Sequence, residues 1–97
     1  MIEHISLDKT DRKHSLSQVT VNDETVIVKW WYSTKNKVTE DEFNDFLVMK
    51  ALFQLGEFEQ ARDVIANGAQ GSLTVDENGV ETDTRNQRQK WLDGLFS

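Results

Sequence analysis

The residues that decide the fold are 19–30, which read VTVNDETVIVKW. On both sides of the Asn-Asp-Glu sequence, valines alternate with other residues at the period of two that is typical of a half-buried strand. Trp30 and Tyr32 continue the second run with aromatic residues, which strands favour. The pattern predicts an antiparallel β-hairpin over residues 17–33.

The pairing of the two predicted strands follows from which side chains must share the buried face. A turn centred on residues 23–24 places Val21 opposite Val26 and Val19 opposite Val28, so that the four valines lie on one face of the sheet. No Gly lies in this turn, so the sequence leaves the turn type open. The opposite face is amphipathic, since it carries Thr20, Ile27, Lys29 and Trp31.

Residues 38–68 carry the pattern of two helices joined by a sharp bend. Thr39 and Glu42 have the spacing of a capping box, and the acidic first turn suits the positive end of the helix dipole. The apolar residues that follow cover more than half of the helix circumference, which predicts burial on most sides. Gly56 ends this helix, and a shorter helix ends at residues 67–68, an Asn-Gly stop signal.

The bend between the two helices has a sequence of its own over residues 51–61. It resembles the turn between the two helices of a tetratricopeptide unit in Ala51, Leu52, Leu55, Gly56, Phe58 and Ala61. No second copy follows, and a solenoid needs at least about three repeats. The resemblance therefore implies only a shared way of closing a helical hairpin through a small residue.

Three further segments complete the prediction. Residues 1–16 are interpreted as a partly flexible N-terminal arm, and residues 72–82 as a short hairpin or turn around an Asn-Gly dipeptide. Residues 84–96 are predicted to form a C-terminal helix, capped by Asp83 or Thr84.

Together these segments predict one domain over residues 1–97, of the α+β class. Its architecture is a small antiparallel β-hairpin sheet packed on a helical hairpin, with a C-terminal helix that returns to cover an edge or face of the sheet. The predicted core consists of Val19, Val21, Val26, Val28, Trp30, Phe43, Phe46, Leu47, Met49, Phe53, Phe58, Ile65 and Trp91.

The composition excludes several classes of protein. The chain has no Cys, which rules out a disulfide framework and any Cys-based zinc or redox site. No apolar run approaches the length of about 18 residues that a membrane span needs, and the first residues lack the pattern of a signal peptide. We therefore expect no membrane association and a cytoplasmic location, or a virion assembled in the host cytoplasm if the chain is phage-encoded.

Charge is divided unevenly along the chain. Residues 38–83 hold eleven acids and two bases, a net charge of −9, whereas residues 1–37 net +1 and residues 84–97 net +2. The acidic segment is a poor surface for direct nucleic-acid binding. It is either a solvated face kept acidic for solubility or a face that binds a basic protein surface. In the second case the candidate binding residues are Glu40, Asp41, Glu42, Asp45, Glu57 and Glu59.

Two apolar features are further candidates for binding a partner. Trp30 and Trp31 point to opposite faces of the predicted strand. Trp31 is core if the final helix covers it; otherwise it is an anchor of a protein interface or, beside Lys29 and Lys35, a base-stacking platform. The final helix carries an apolar stripe of Trp91, Leu92, Leu95 and Phe96.

Sequence motifs for catalysis or metal binding are missing. Residues 76–79 begin like a calcium loop, but Val80 and Glu81 stand where an oxygen ligand and a Gly are needed. His4 and His14 lack the spacing of a zinc site and are predicted to be surface residues. No nucleophile elbow or phosphate-binding loop occurs. The sequence predicts a protein that is not an enzyme and binds no cofactor or metal.

These observations predict a small acidic protein–protein interaction protein. Its partner is expected to be a protein with a basic or apolar patch, and an oligomer is compatible with the sequence. Two roles stay open. The chain is either a phage-encoded structural, adaptor or assembly component that docks through the terminal stripe or the hairpin edge, or an acidic inhibitor of the anti-defence or nucleic-acid-mimic type. Such an inhibitor would block the basic, nucleic-acid-binding surface of a target enzyme.

Overall fold

A computed structural model describes residues 2–5 and 13–95 and confirms the predicted α+β class. In chain order the elements are β1 (Ile2–Ile5), β2 (His14–Val21), β3 (Glu24–Trp31), α1 (Tyr32–Lys35), α2 (Glu40–Gln54), α3 (Phe58–Ala66), β4 (Leu73–Val75), β5 (Glu81–Asp83) and α4 (Gln87–Leu95). Strands β1, β2 and β3 form an antiparallel sheet in that order, and β4 and β5 form a separate hairpin.

The β2–β3 hairpin has a tighter turn than the sequence predicts. Asn22 and Asp23 both have positive φ (51° and 62°), so these two residues alone make the turn. Val19 therefore pairs with Val26 rather than with Val28, and the predicted register is wrong by two residues. Because side chains alternate with a period of two, this shift keeps each side chain on its predicted face.

The strands of this sheet begin and end earlier than predicted. β2 begins at His14 and residues 2–5 pair with it as β1, so the assignment of these residues to an arm over 1–16 is wrong. Residues 6–12 lie outside the described residues, and the flexibility of the arm stays a prediction. Tyr32, predicted as the last strand residue, instead begins the short helix α1.

Helix α2 lies across one face of the sheet and carries half of the described residues that form the buried hydrophobic core. The predicted capping box is confirmed: the Thr39 hydroxyl accepts the Glu42 N–H at 3.2 Å, and the Glu42 carboxylate accepts the Thr39 N–H at 3.0 Å. One cluster of buried side chains joins the helix to the sheet: Val19, Val28, Trp30, Phe43, Leu47 and Ala51.

A second cluster lies on another side of α2. Gly56 has φ +79° and turns the chain back, so that α3 packs beside α2. Trp91 of α4 lies against Phe46, with 4.8 Å between the ring centroids. The C-terminal helix therefore covers the helical hairpin, and the prediction that it covers the sheet is wrong. The buried members of this cluster are Met49, Leu52, Ala61 and Ile65.

The predicted core is confirmed in part. Phe53 and Phe58 are exposed, and their rings contact each other across the bend between α2 and α3, 4.9 Å apart. Asn86 rather than Asp83 or Thr84 caps α4, since its side chain accepts the backbone N–H of the third helical residue. Val19, Val28, Trp30, Phe43, Leu47, Met49 and Ile65 are buried as predicted, whereas Val21, Val26, Phe46 and Trp91 are half-buried.

The inner face of the sheet contains a polar contact that joins all three strands. Ser17 on β2 has no exposed surface, and its Oγ accepts from Nε1 of Trp30 on β3 at 2.6 Å. Nδ1 of His4 on β1 lies 2.7 Å from the same oxygen. The indole N–H can only donate, whereas the direction of the bond between His4 and Ser17 depends on which ring nitrogen of His4 carries the proton.

Replacing Trp30 with Phe tests this contact. The change removes the donor to a buried hydroxyl and some apolar volume, so we expect the free energy of unfolding to fall by about 1–3 kcal/mol. The neighbouring change Trp31→Phe alters an exposed ring and should cost less than ~0.5 kcal/mol. Urea unfolding followed by circular dichroism measures both. Equal losses for the two variants would contradict the buried contact.

Candidate functional site

The second face of the three-stranded sheet is not covered by any described helix. Ile5 lies directly opposite Leu16, and Ile27 and Trp31 on β3 are the diagonal neighbours of Leu16. Leu16 is half-buried, and the other three are exposed. We call this apolar surface, formed by Ile5, Leu16, Ile27 and Trp31, the open face.

Trp31 is the largest side chain of the open face, and 48% of its surface is exposed. The final helix does not cover it, so the interpretation of Trp31 as core is wrong. Lys29 Nζ lies 5.6 Å from the Trp31 ring centroid, and the His14 ring centroid lies 5.0 Å away. These contacts hold the ring in place while leaving about half of it accessible. A role for Trp31 in binding a partner stays a prediction.

The chain segments around Trp31 are basic, whereas residues 38–83 are acidic. Residues 13–22 and 25–39, which include β2, α1 and all of β3 except Glu24, contain no acid, whereas Glu3 of β1 lies on the same face of the sheet as Ile5. An apolar surface with basic neighbours suits a partner that is apolar and acidic. The bases in these two segments are Lys13, Lys29, Lys35 and Lys37.

The acidic candidates do not form one surface. Glu40, Asp41 and Glu42 lie in the first turn of α2, whereas Glu57 and Glu59 lie at the start of α3. The chain reverses direction between the two helices, so the two groups lie at opposite ends of α2, about 20 Å apart. Each group is near a helix N-terminus, where the helix dipole favours carboxylates.

Two of the acidic candidates make contacts that stabilise the fold. The backbone hydrogen bond from Thr39 lowers the pKa of the Glu42 carboxyl below its ordinary value. Asp45 forms an ion pair with Arg88 of α4, with 2.5 Å between Oδ2 and Nη1. These two carboxylates therefore have structural partners within the chain.

The apolar stripe of the C-terminal helix is turned partly inward. Trp91 and Leu95 are half-buried against the second core cluster. Leu95 also lines a groove of about 420 Å³, together with Met49 and Phe53 of α2. Phe96 lies outside the described residues. Because these side chains cover α2, they serve the fold whether or not they also bind a partner.

His4 and Ser17 form a pair that sequence reasoning misses. Their distance resembles that of a base and a nucleophile, but Ser17 has no accessible surface and its oxygen is already bonded to Trp30. Ser17 cannot contact a substrate in this arrangement. The sequence gives no signal for the pairing, because the register of β1 depends on a connection without a turn motif.

A cavity of about 320 Å³ opens beside the first turn of α2. Its walls include Lys35 and Glu40, whose charges offset each other. Lys35 Nζ lies 5.2 Å from the ring centroid of Trp30 and 5.6 Å from that of Phe43. The ammonium group is thus engaged with aromatic rings, and the cavity has no net charge to select an ionic ligand.

Residues 72–84 form a β-hairpin that we call the acidic arm, which confirms the predicted short hairpin. Every residue of β4 and β5 is exposed. The arm's three aliphatic side chains, those of Leu73, Val75 and Val80, are 44%, 60% and 57% exposed. The arm has no base, and its acids are Asp76, Glu77, Glu81 and Asp83.

Side-chain hydrogen bonds fix the two ends of the acidic arm. At the tip, Asp76 Oδ1 accepts the backbone N–H groups of Asn78 and Val80, both at 2.9 Å. At the base, the Thr84 hydroxyl accepts from the Ser72 N–H at 3.0 Å and donates to the Ser72 carbonyl at 3.2 Å. An isolated two-stranded hairpin is marginally stable in water, so these bonds support it.

Two side chains connect the acidic arm to the helices. The Asn86 amide donates to the Gly68 carbonyl at 2.7 Å and also caps α4. The Arg85 guanidinium donates to both carboxylate oxygens of Asp83 and to Asp93 of α4. The hydrogen bonds from Arg85 lower the pKa of Asp83 to about 2, and those to Asp83 and Asp93 raise the pKa of Arg85.

Comparison of the chain with protein-family models, with curated proteins and with solved structures gave no match. Within residues 2–5 and 13–95, no group of three His, Asp or Glu side chains is arranged to hold a metal ion. Nor does any helix in this part of the chain have the length and apolar character to cross a membrane.

The contact between Asp83 and Arg85 makes the base of the acidic arm sensitive to acid. The pKa of Asp83 in the folded chain, about 2, lies below the ordinary value of 3.8, so ionised Asp83 adds stability above that value. This stability is lost as the pH falls toward 2. We expect an NMR titration of the Asp83 carboxyl carbon to have its midpoint near 2.

The variant Arg85→Gln should move this midpoint up toward the ordinary value, because it removes the guanidinium donor. Arg62→Gln on α3 removes the same charge without that contact and should leave the Asp83 midpoint in place. A titration of Asp83 that is the same in Arg85→Gln and in wild type would disprove this origin of the shift.

Gly71 allows the two ends of the acidic arm to meet. It has φ +93°, and a Cβ at this position would lie 2.2 Å from the Thr84 carbonyl oxygen. We expect Gly71→Ala to reduce the protection of arm amides from hydrogen exchange at least about tenfold. Gly79→Ala is the matched control, since Gly79 also has positive φ (78°) but open space around it. Amide exchange measured by NMR should show the larger loss for Gly71→Ala; the reverse order would refute the close approach.

Proposed function

We propose that this chain is a small acidic, non-enzymatic protein–protein interaction protein whose docking surface is the open face. The observation that carries the proposal is the one-sided packing of the sheet. The helices cover the inner face, where Val28 and Trp30 are buried, while Ile27 and Trp31 on the same strand are exposed on the other face.

The composition of the open face supports a binding role. Exposed aliphatic side chains lie around a Trp, and Trp is enriched among the residues that dominate binding energy in protein interfaces. Lys29 and His14 contact the Trp31 ring, which reduces the side-chain entropy that binding would cost. A contiguous apolar patch on a small protein is typical of an interaction site.

The charge around the open face indicates the chemistry of the partner. The segments that flank Trp31 contain lysines and no acid, so we expect a partner surface with aliphatic side chains and carboxylates. A structural, adaptor or assembly component acts through such a surface without converting a substrate. We propose this role, with a phage-encoded origin and a location in the host cytoplasm or the virion as its expected setting.

The inhibitor role has less support from the geometry. An acidic mimic of nucleic acid needs carboxylates gathered on one surface, whereas the candidates on α2 and α3 lie in two groups at opposite ends of α2. Glu42 and Asp45 are also engaged within the chain. We therefore propose one function and use the acidic residues as the comparison in its test.

The test compares partners captured by immobilised protein from the host lysate. We expect Trp31→Ser to weaken capture of the partner at least about 30-fold, as for a hot-spot aromatic. Because salt screens the charges around Trp31 but not the apolar contact, we expect capture by wild type to weaken only in part when the ionic strength rises to about 1 M. Quantitative mass spectrometry of the captured proteins measures both effects.

Phe58→Ser is the matched control, because Phe58 has the same exposed fraction as Trp31 (48%) but belongs to the helical layer. It should capture the same partner as wild type. The double variant Glu57→Gln, Glu59→Gln should also behave as wild type. Loss of the partner in this double variant, with normal capture by Trp31→Ser, would refute the open face and favour the inhibitor role.

A further inference from the structure

We propose that the acidic arm of one copy binds the open face of a second copy, so that the chain assembles head to tail. The inference rests on the proposed function, because the open face is the binding surface in both. It adds the identity of one occupant, a β-hairpin of this same chain.

The acidic arm is ordered but extends its apolar side chains into solvent. The chain measures 48 × 32 × 21 Å, and its radius of gyration of 15.2 Å exceeds the value of about 12–13 Å expected for a compact domain of this length. Val75 is 60% exposed although hydrogen bonds hold both ends of the arm. Exposed aliphatic residues on an arm of fixed structure are available to contact a partner.

The two surfaces match in apolar character. Leu73 and Val75 lie two residues apart on β4, so they point to the same side of the arm. The open face has Leu16 at its centre, with Ile27 and Trp31 beside it. Laying the arm across this surface buries aliphatic side chains against aliphatic and aromatic ones, which is favourable at roughly 25 cal/mol per Å².

The two surfaces also have opposite charges. Glu81 lies opposite Val75 in the arm, on the same side as the two aliphatic residues of β4. Lys29 lies opposite Leu16 on the open face. The acidic arm carries four acids and no base, whereas the open face carries Lys29 beside Trp31 and the acid Glu3 at the end of the face away from Trp31. A second copy therefore supplies the apolar and acidic partner that the charges around the open face require.

The arm and the open face are different surfaces, so their contact is heterologous. Each copy that is bound still offers one free arm and one free open face, and growth continues unless the copies close into a ring. The arm is small, with strands of three residues, so the buried area is at the low end for protein interfaces and the association is weak. It should therefore depend on protein concentration.

Two complementary variants test this assembly. The face variant is Trp31→Ser, and the arm variant is Leu73→Thr with Val75→Thr, which keeps residues that favour strands. Sedimentation velocity at concentrations from about 10 μM to about 1 mM covers the range of a weak complex. We expect the mass of wild type to rise beyond that of a dimer, and each variant alone to remain monomeric.

An equimolar mixture of the two variants should form a dimer and nothing larger. The face variant contributes only its arm and the arm variant only its open face, so one contact forms and growth stops. A mixture that stays monomeric while wild type associates would show contact between identical surfaces and overturn the proposal. A wild type that remains monomeric over the whole range overturns it as well.

Two controls separate this inference from misfolding and from the proposed function. Ile27→Thr is a second face variant, and circular dichroism establishes that each variant is folded. Phe58→Ser should associate as wild type does. If wild type is monomeric but Trp31→Ser still loses its partner from the lysate, the head-to-tail contact fails while the proposed function stands. If capture is unaffected by Trp31→Ser, the proposed function itself fails.

Discussion

The packing of α2 across one face of the three-stranded sheet is the interaction on which the rest of the structure depends. It buries Val19, Val28 and Trp30 against Phe43 and Leu47, and it fixes which side of the sheet is inner. α3 and α4 then cover other sides of α2 rather than the sheet. A chain of 97 residues has few elements to spare, so covering a mostly apolar helix leaves the second face of the sheet uncovered by any described helix.

The buried polar contact on the inner face also determines what the outer face displays. Ser17 is bonded to Trp30 and His4, one from each neighbouring strand, so a shift in register breaks both contacts. A shift of one residue would also exchange the two faces of a strand. A buried hydroxyl without partners costs about 1–3 kcal/mol, which penalises such shifts. The contact that excludes Ser17 from chemistry therefore helps to place Ile27 and Trp31 outside.

Short-range patterns in the sequence predicted the elements of the fold, but they did not predict the long-range pairings. The capping box at Thr39 and the bend at Gly56 each follow from a few neighbouring residues. The hairpin register could not be predicted in this way. Its two-residue turn requires positive φ at both Asn22 and Asp23, and neither is Gly. The exposure of Trp31 depended on where α4 packs, which no local pattern encodes.

The candidate surfaces were predictable to different degrees for the same reason. Alternation placed Trp31 and Ile27 on a separate face of the sheet, and this part of the open face is evident in the sequence. Its neighbour Ile5 joined it only through the pairing of β1 with β2. The order of the acidic arm depends in part on Asn86, whose amide donates to the carbonyl of Gly68, 18 residues earlier, and no local pattern encodes this pairing.

Solubility alone does not explain why the acidic arm forms a hairpin of fixed structure. Fixing the backbone costs about 1–2 kcal/mol per residue, and burial of apolar surface normally offsets that cost. The arm buries little, so its order rests on exposed hydrogen bonds and an ion pair, each of which contributes about 1 kcal/mol or less. A disordered acidic loop would keep the chain equally soluble without Gly71 or the contacts of Asn86 and Arg85. An ordered arm instead presents Leu73 and Val75 in one fixed arrangement, which lowers the entropy lost when a second surface covers them.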